Sequence, residues 1–460
     1  MKKIVSMFLV SVMVMTALAG CGKKETPGDG GDQTTGAVQG DNTPSEAAQA
    51  GTQTTFNGEK VTVWVSYDAA SLGEHYVTLW GELAKDLGID MEFENMSSED
   101  FKTKIKVALT GDELPDLFTV WGGSYLDPFF EADAVIPVED YLKQYQINPA
   151  AAYNVAAADG HLYVIPSKEE AYAVTYVNTK LRDQIGISSN PTTWTELLEL
   201  IEATNTYNQA NGTKLAAIGL GVADRWVGEV LYTVIVNSLD ENAFSKLMSG
   251  EIDFSDPVFL EAANRIKTLV DMGAFPSGMI QTKSTEANEL FMADQYVLYA
   301  HQSSVLQKFA AGMDTNSLEV IPFPDCQEPV NTSYMTNLMN GNGSIMPGLC
   351  ISRKAKNPDA AAALATAFSV AANKINVLDY GNPGYLVDDA LVPTKEFAKS
   401  LTQFSDLVKN VKHLTPYWYA VLPASQGEAW RDLTMALYAQ AVTPEKFVAQ
   451  AKAIFSMDVN

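Results

Sequence analysis

Short apolar stretches alternate with amphipathic patterns of about ten residues over much of the chain beyond position 56. Apolar Val61, Val63 and Val65, with Trp64 between them, predict a buried strand that runs on to Tyr67. Helical spacing over 76–87 then ends at Gly88. A second strand is expected at 90–94, an amphipathic helix at 101–109 and a third strand at 115–120. This alternation predicts a parallel, doubly wound sheet, with ligand bound beyond the carboxyl ends of its strands. Two segments fall at that edge: Tyr67-Asp68 after the first strand and Trp121-Gly122-Gly123 after the third.

Further along, Asp159-Gly160 signals a turn, and 162–166 and 174–177 read as strands. Thr193 or Thr195 can cap a helix over 196–204. Helical patterns then dominate as far as Leu290, with Gly219-Leu220-Gly221 and Gly273 as breakers. Strands are expected at 296–300 and 319–323, an alanine-rich helix at 360–372, and amphipathic helices at 427–439 and 444–455. No internal repeat is visible.

The start of the chain has a different pattern. Lys2 and Lys3 precede a nearly unbroken apolar run over 4–18, which reads as a secretory signal. The run is shorter than the roughly 20 residues a membrane span needs, and no later stretch of sequence reads as long and apolar enough to replace it. Leu18-Ala19-Gly20-Cys21 resembles the bacterial lipobox, which implies lipidation of Cys21 and cleavage before it. Residues 22–55 are mostly Gly, Thr, Gln, Ala, Asp and Pro with little to bury, and read as a flexible tether from that lipid to a folded body.

About 400 residues remain, more than the roughly 250–300 at which one core stops growing, so two lobes are expected. Loss of Lys2 and Lys3 with the signal takes the formal charge from -25 to -27. Such an acidic surface argues against nucleic acid and anionic lipid as partners. Beyond Cys21 only Cys326 and Cys350 are left, either as a disulfide or as two separate buried thiols; they fit no zinc spacing.

Several stretches carry a resemblance. Leu114-Pro115-Asp116-Leu117-Phe118 is followed by Asp159-Gly160-His161-Leu162-Tyr163-Val164-Ile165-Pro166, then by Thr175-Tyr176-Val177-Asn178-Thr179-Lys180-Leu181. Pro191-Thr192-Thr193-Trp194-Thr195-Glu196-Leu197 and Val320-Ile321-Pro322-Phe323-Pro324 complete the series. In order and spacing this resembles the sugar-binding branch of the extracellular solute-binding lipoproteins of ABC importers, the branch that includes maltose-binding protein. The resemblance implies an α/β fold of the two-lobed periplasmic-binding-protein type II, its lobes joined by crossing hinge strands. Lobe 1 would take 56–168 and 322–378, and lobe 2 would take 169–321 and 379–460. It implies capture of a sugar or oligosaccharide in the interlobe cleft and delivery to an ABC permease, with no cofactor, metal or catalysis.

Sugar rings need aromatic planes for their C–H faces and Asp, Glu, Asn or Gln for their hydroxyls. Trp121 meets that need at the end of a buried strand, where Gly122 and Gly123 permit close approach. The resemblance adds Tyr67 and Asp68, then Glu169, Glu170 and Tyr172 on the first crossing segment, and the aromatics Trp226 and Trp430. One departure stands out. Where many sugar binders have a Gly-x-Trp after the strand at 296–300, this chain reads His301-Gln302-Ser303-Ser304. Gln302 and Ser304 would then supply polar contacts in place of a stacking platform, or the ligand differs from a maltose-like sugar. His301 reads as a satisfied loop histidine, Asn340-Gly341-Asn342-Gly343-Ser344 as a plain loop, and Trp64, Trp80 and Trp194 as core.

Two other functions compete. A secreted glycan hydrolase would need paired carboxylates, but the chain has no Gly-x-Ser-x-Gly, no His-Glu-x-x-His and no spaced metal cluster. A binder of peptides or polyamines would use Asp68, Glu169 and Glu170 as counter-charges.

Overall fold

A computed structural model describes residues 55–67, 73–168, 171–326, 334–336, 346–382, 384–410 and 413–456. Cys21, Asp68, Glu169, Glu170 and the Asn340–Ser344 turn lie outside these residues. In chain order the strands are β1 (Lys60–Val65), β2 (Asp90–Asn95), β3 (Leu117–Val120), β4 (Ile165–Pro166), β5 (Ala173–Asn178) and β6 (Ala216–Gly219). They continue with β7 (Tyr296–Gln302), β8 (Leu318–Ile321), β9 (Tyr334–Thr336), β10 (Gly348–Ile351) and β11 (His413–Thr415).

The first sheet has the order β2-β1-β3-β10-β4 and the second β6-β7-β5-β8. Strands β1, β2 and β3 pair in parallel, as the alternation of strand and helix predicts. The expectation of a wholly parallel sheet fails beyond them. Strand β10 runs antiparallel to both β3 and β4, because the chain returns to this sheet about 180 residues after β4 and enters it reversed. In the second sheet β6 and β7 are parallel, whereas β5 is antiparallel to β7 and β8.

Strand β6 was hidden in the sequence by its composition, Ala-Ala-Ile-Gly, which shows no β-branched run. Its glycine has a packing reason: a Cβ on Gly219 would lie 2.0 Å from the Tyr296 ring on the neighbouring strand. Gly348 opens β10 for a similar reason, since a Cβ there would meet the Ile165 carbonyl oxygen at 2.3 Å.

Each sheet has its own core. Val61, Val63 and Val65 face the helices Gly73–Leu87 and Pro358–Tyr380, where Trp80 stacks on Phe368 with ring centroids 4.2 Å apart. By length and composition Pro358–Tyr380 could cross a membrane, contrary to the sequence expectation; most of its apolar stretch is buried here, as the core helix of the first sheet. Thr193 caps Trp194–Asn211 with a reciprocal capping box to Glu196. Trp64 and Trp194 sit at core edges beneath the cations Lys104 and Arg265. Cys326 and Cys350 are separate buried thiols in different clusters, and burial pushes the Cys326 thiol up to about 11.

The largest cluster joins the second sheet to the C-terminal helices Ala424–Tyr438 and Pro444–Phe455. At its centre Trp430 is fully buried, stacked on Trp418 with centroids 5.5 Å apart and ringed by Tyr232, Phe254, Phe447 and Phe455. Truncation here leaves a cavity the helices cannot close. Trp430→Ala is expected to lower the unfolding free energy by about 3–5 kcal/mol in chemical denaturation, and a loss under about 1 kcal/mol would remove Trp430 from the core.

Candidate functional site

Three strand ends and three helix starts converge on one cleft between the two sheets. Past β1 the alternation of side chains turns Ser66 toward the cleft, past β3 it delivers Trp121, and at the end of β7 it delivers Gln302. Helix Ser98–Gly111 contributes Glu99, Asp100 and Lys102 from its first turns, with Ser97 capping the Asp100 amide. Helix Trp226–Leu239 begins at Trp226, and Asp224 before it accepts both the amide and the hydroxyl of Ser284, each at 2.7 Å, at the start of Ser284–Met292. Lys168 and Lys283 complete a polar compartment of about 930 Å³ of empty space, mouth included.

Charges in this compartment are mixed, although the chain as a whole is strongly acidic. Lys102 lies 3.0 Å from Glu99 and over the Trp121 ring at 5.0 Å. Burial holds the Lys102 amine below its usual range, with Glu99 opposing. Burial raises Glu99, but Lys102 first, then Arg431 and Arg225, outweigh it and leave the carboxyl below its usual value.

The opposite wall is aromatic. The segment Trp418–Val421 and the residue before it place Tyr417 and Tyr419 in the cleft, 5.1 Å apart, with Tyr417 edge-on to Trp226 at 6.3 Å. Glu229, fully buried on the helix that begins at Trp226, holds this segment: its Oε1 accepts the Trp418 amide at 2.7 Å and the Trp430 indole N–H at 3.4 Å. Behind Trp226 stands His301, 5.3 Å away between it and Tyr299. His301 is buried on β7 rather than in a loop, and burial pulls its pKa to about 4, so it is neutral at physiological pH.

Of the residues expected from sequence, Trp121, Trp226 and Gln302 meet in this compartment. Tyr67 does not: it is buried against Tyr76 and Phe368, its hydroxyl accepting the Trp80 indole at 3.3 Å, and its neighbour Ser66 faces the cleft instead. Tyr172 packs on Phe404 in the core of the second sheet, while its amide donates to Ser303 Oγ at 3.1 Å. Gly123 opens a short 3-10 turn, and it is Gly122, at φ 75°, that borders the cavity beside Trp121. Ser304 is half-buried in the turn after β7 and lines neither cavity next to Trp121. Trp430 is core, one helix layer behind the wall it was expected to form. Tyr417 and Tyr419 went unnoticed, although the run Tyr417-Trp418-Tyr419 was a dense aromatic signal.

The fold and this cleft are those of a receptor for a small solute. The profile of the bacterial extracellular solute-binding proteins matches residues 81–380, more than half of the chain, and the chain belongs to that family. Its members are extracytoplasmic solute receptors. A structure from work on xylan utilization by the thermophilic bacterium Caldanaerobius polysaccharolyticus is similar with a TM-score of 0.70 at 23% identity, over 86% of this chain and 99% of that one. A chitin oligosaccharide binding protein gives 0.73 at 18% identity, over 87% and 98% of the two chains. The bacterial solute receptor AcbH, described as having an exclusive preference for β-D-galactopyranose, gives 0.70 at 16%, over 87% and 98%. At such identities the likeness is one of fold: the two-lobed α/β architecture of periplasmic binding proteins. A search of curated proteins finds no match.

The Glu229 carboxylate gives the wall a pH signature. Burial raises its pKa from 4.5 to about 7 against the pull of the Trp418 amide, the Trp430 indole and Arg431. The folded chain therefore keeps a proton that the unfolded chain releases, so stability present below pH 4.5 is lost as the pH rises through about 7, by about 3 kcal/mol in all. Glu229→Gln stays neutral and removes that loss. Denaturation curves are expected to show the variant more stable than the parent at pH 8 and equal to it near pH 4.5; parallel pH profiles would contradict the assignment.

Proposed function

We propose that this protein captures a carbohydrate, a sugar or short oligosaccharide, in the polar compartment and delivers it to the permease of an ABC importer. The observation that carries this reading is the pair Trp121 and Trp226, set by different sheets and lining one compartment together with Glu99, Asp100, Asp224 and Gln302. Indole planes suit the C–H faces of a pyranose, and carboxylates and amides suit its hydroxyls. The names of the similar structures, which include xylan, chitin oligosaccharide and galactopyranose, favour the same ligand class.

In this reading lobe 1 spans 56–168 and 322–378 and lobe 2 spans 169–321 and 379–460. What favours these boundaries is that β1 to β4 and β10 form one sheet and β5 to β8 another, although β9, within 322–378, pairs with β11 of 379–460. Ligand stabilises the closed arrangement in proportion to its differential affinity for it. Cys21 carries the lipid after removal of 1–20, 22–55 act as the tether, and the permease meets the closed body at the outer face of the cell membrane. Asp68, Glu169 and Glu170 remain proposed contacts at the mouth, and no catalytic residue is invoked.

A thermal-shift screen of mono- and oligosaccharides beside peptides and amines tests the ligand class. A saccharide at 100 times its Kd is expected to add about 2.7 kcal/mol to stability. Trp121→Ala and Trp226→Ala should each weaken that saccharide about tenfold or more in calorimetry, about 1.4 kcal/mol. Stabilisation by amines or peptides alone would replace the carbohydrate reading.

A further inference from the structure

The polar compartment is not the end of the cleft. Through Trp121, Lys102, Tyr417 and Tyr419, which line both, it continues into a second compartment of about 860 Å³ of empty space, mouth included. The two differ in character. The second is walled by rings and aliphatic groups, among them Tyr125, Phe129, Leu109 and Pro128. Its polar groups are for the most part already engaged by the protein. Ser124 Oγ donates to the Ala420 carbonyl at 2.8 Å, Glu428 is paired with both Arg225 and Arg431, and Lys102 with Glu99.

A pyranose placed here would bring several hydroxyls, each a donor as well as an acceptor, into a space where the one carboxylate among the described lining residues, Glu428, is taken. Leaving buried hydroxyls unpaired costs about 1–3 kcal/mol each, so a sugar ring is a poor occupant. Its remaining surface is that of the rings and aliphatic groups; the Tyr125 hydroxyl and the Arg431 Nε are enclosed by protein and present no surface to it. The compartment therefore lacks apolar surface to cover its rings.

Resting on the carbohydrate reading of the polar compartment, we infer that the apolar compartment is a second subsite. It takes a flat apolar substituent carried by the saccharide bound next door. An aryl group on a sugar has this chemistry: its ring faces Tyr125, Phe129 and Tyr419. The solute is then an aromatic-substituted saccharide rather than an unadorned one. Lys102, bordering both compartments, marks the point where sugar gives way to substituent.

The test is calorimetry on the full protein with matched methyl and 4-nitrophenyl glycosides of glucose, galactose, xylose and N-acetylglucosamine, beside the unsubstituted disaccharide of each. For the sugar that binds, the aryl glycoside is expected to bind about tenfold or more tightly than the methyl glycoside. Ala424→Trp, at an exposed position bordering only the apolar compartment, should abolish that gain and keep the methyl glycoside within about twofold. Equal binding of the matched pair overturns this inference alone, and so does a disaccharide that gains as much as the aryl glycoside and loses the gain in Ala424→Trp. Absence of binding by every glycoside and disaccharide overturns the carbohydrate reading and this inference together.

Discussion

One buried carboxylate orders the aromatic wall of the cleft. Glu229 sits on the helix that begins at Trp226, and through the Trp418 amide it fixes the segment that carries Tyr417 and Tyr419. Through the Trp430 indole it also ties that segment to the helix behind. A carboxylate out of water is costly, and the two N–H donors and the nearby charge of Arg431 offset that cost only in part, so burial still lifts Glu229 to about 7. The three rings of the wall therefore share one support.

The facing wall depends on a different sheet, so the cleft has two independently built sides. Trp121 follows β3 and packs edge-on against Phe101 and Tyr125, whereas Trp226 rests on His301 of β7. Among the described residues the sides touch through Ser124 and the Ala420 carbonyl, through Lys106 and Glu428 at 3.9 Å, and where Trp121 packs against the apolar core of the second side. The ion pair is solvent-exposed, where such a pair is worth little. A boundary of this kind suits a receptor whose sides separate to admit solute and meet again around it.

Much of the fold was legible because many of its elements follow simple local rules. The valines of β1, the helix cap at Thr193 and the closing helix at 444–455 are each local signals, and each appears where its pattern placed it. What the pattern could not carry was return topology: β10 enters the first sheet reversed from far along the chain, and β6 is a strand by virtue of Tyr296 beside it, not of its own residues. The site was half legible for the same reason. Trp121 and Gln302 follow from strand ends, but Tyr67 and Tyr172 show that an aromatic at a strand end can turn into the core as readily as into the cleft. Trp430 was misplaced by one helix layer, because periodicity gives a helix face and not what lies against it.

The cleft reading comes down to whether a solute sits between Trp121 and Trp226. A crystal structure with the saccharide selected by the thermal-shift screen should show a sugar ring against at least one of these indoles, with its hydroxyls on Asp224 and Gln302. Density for the sugar elsewhere, with both indoles bare, would contradict it.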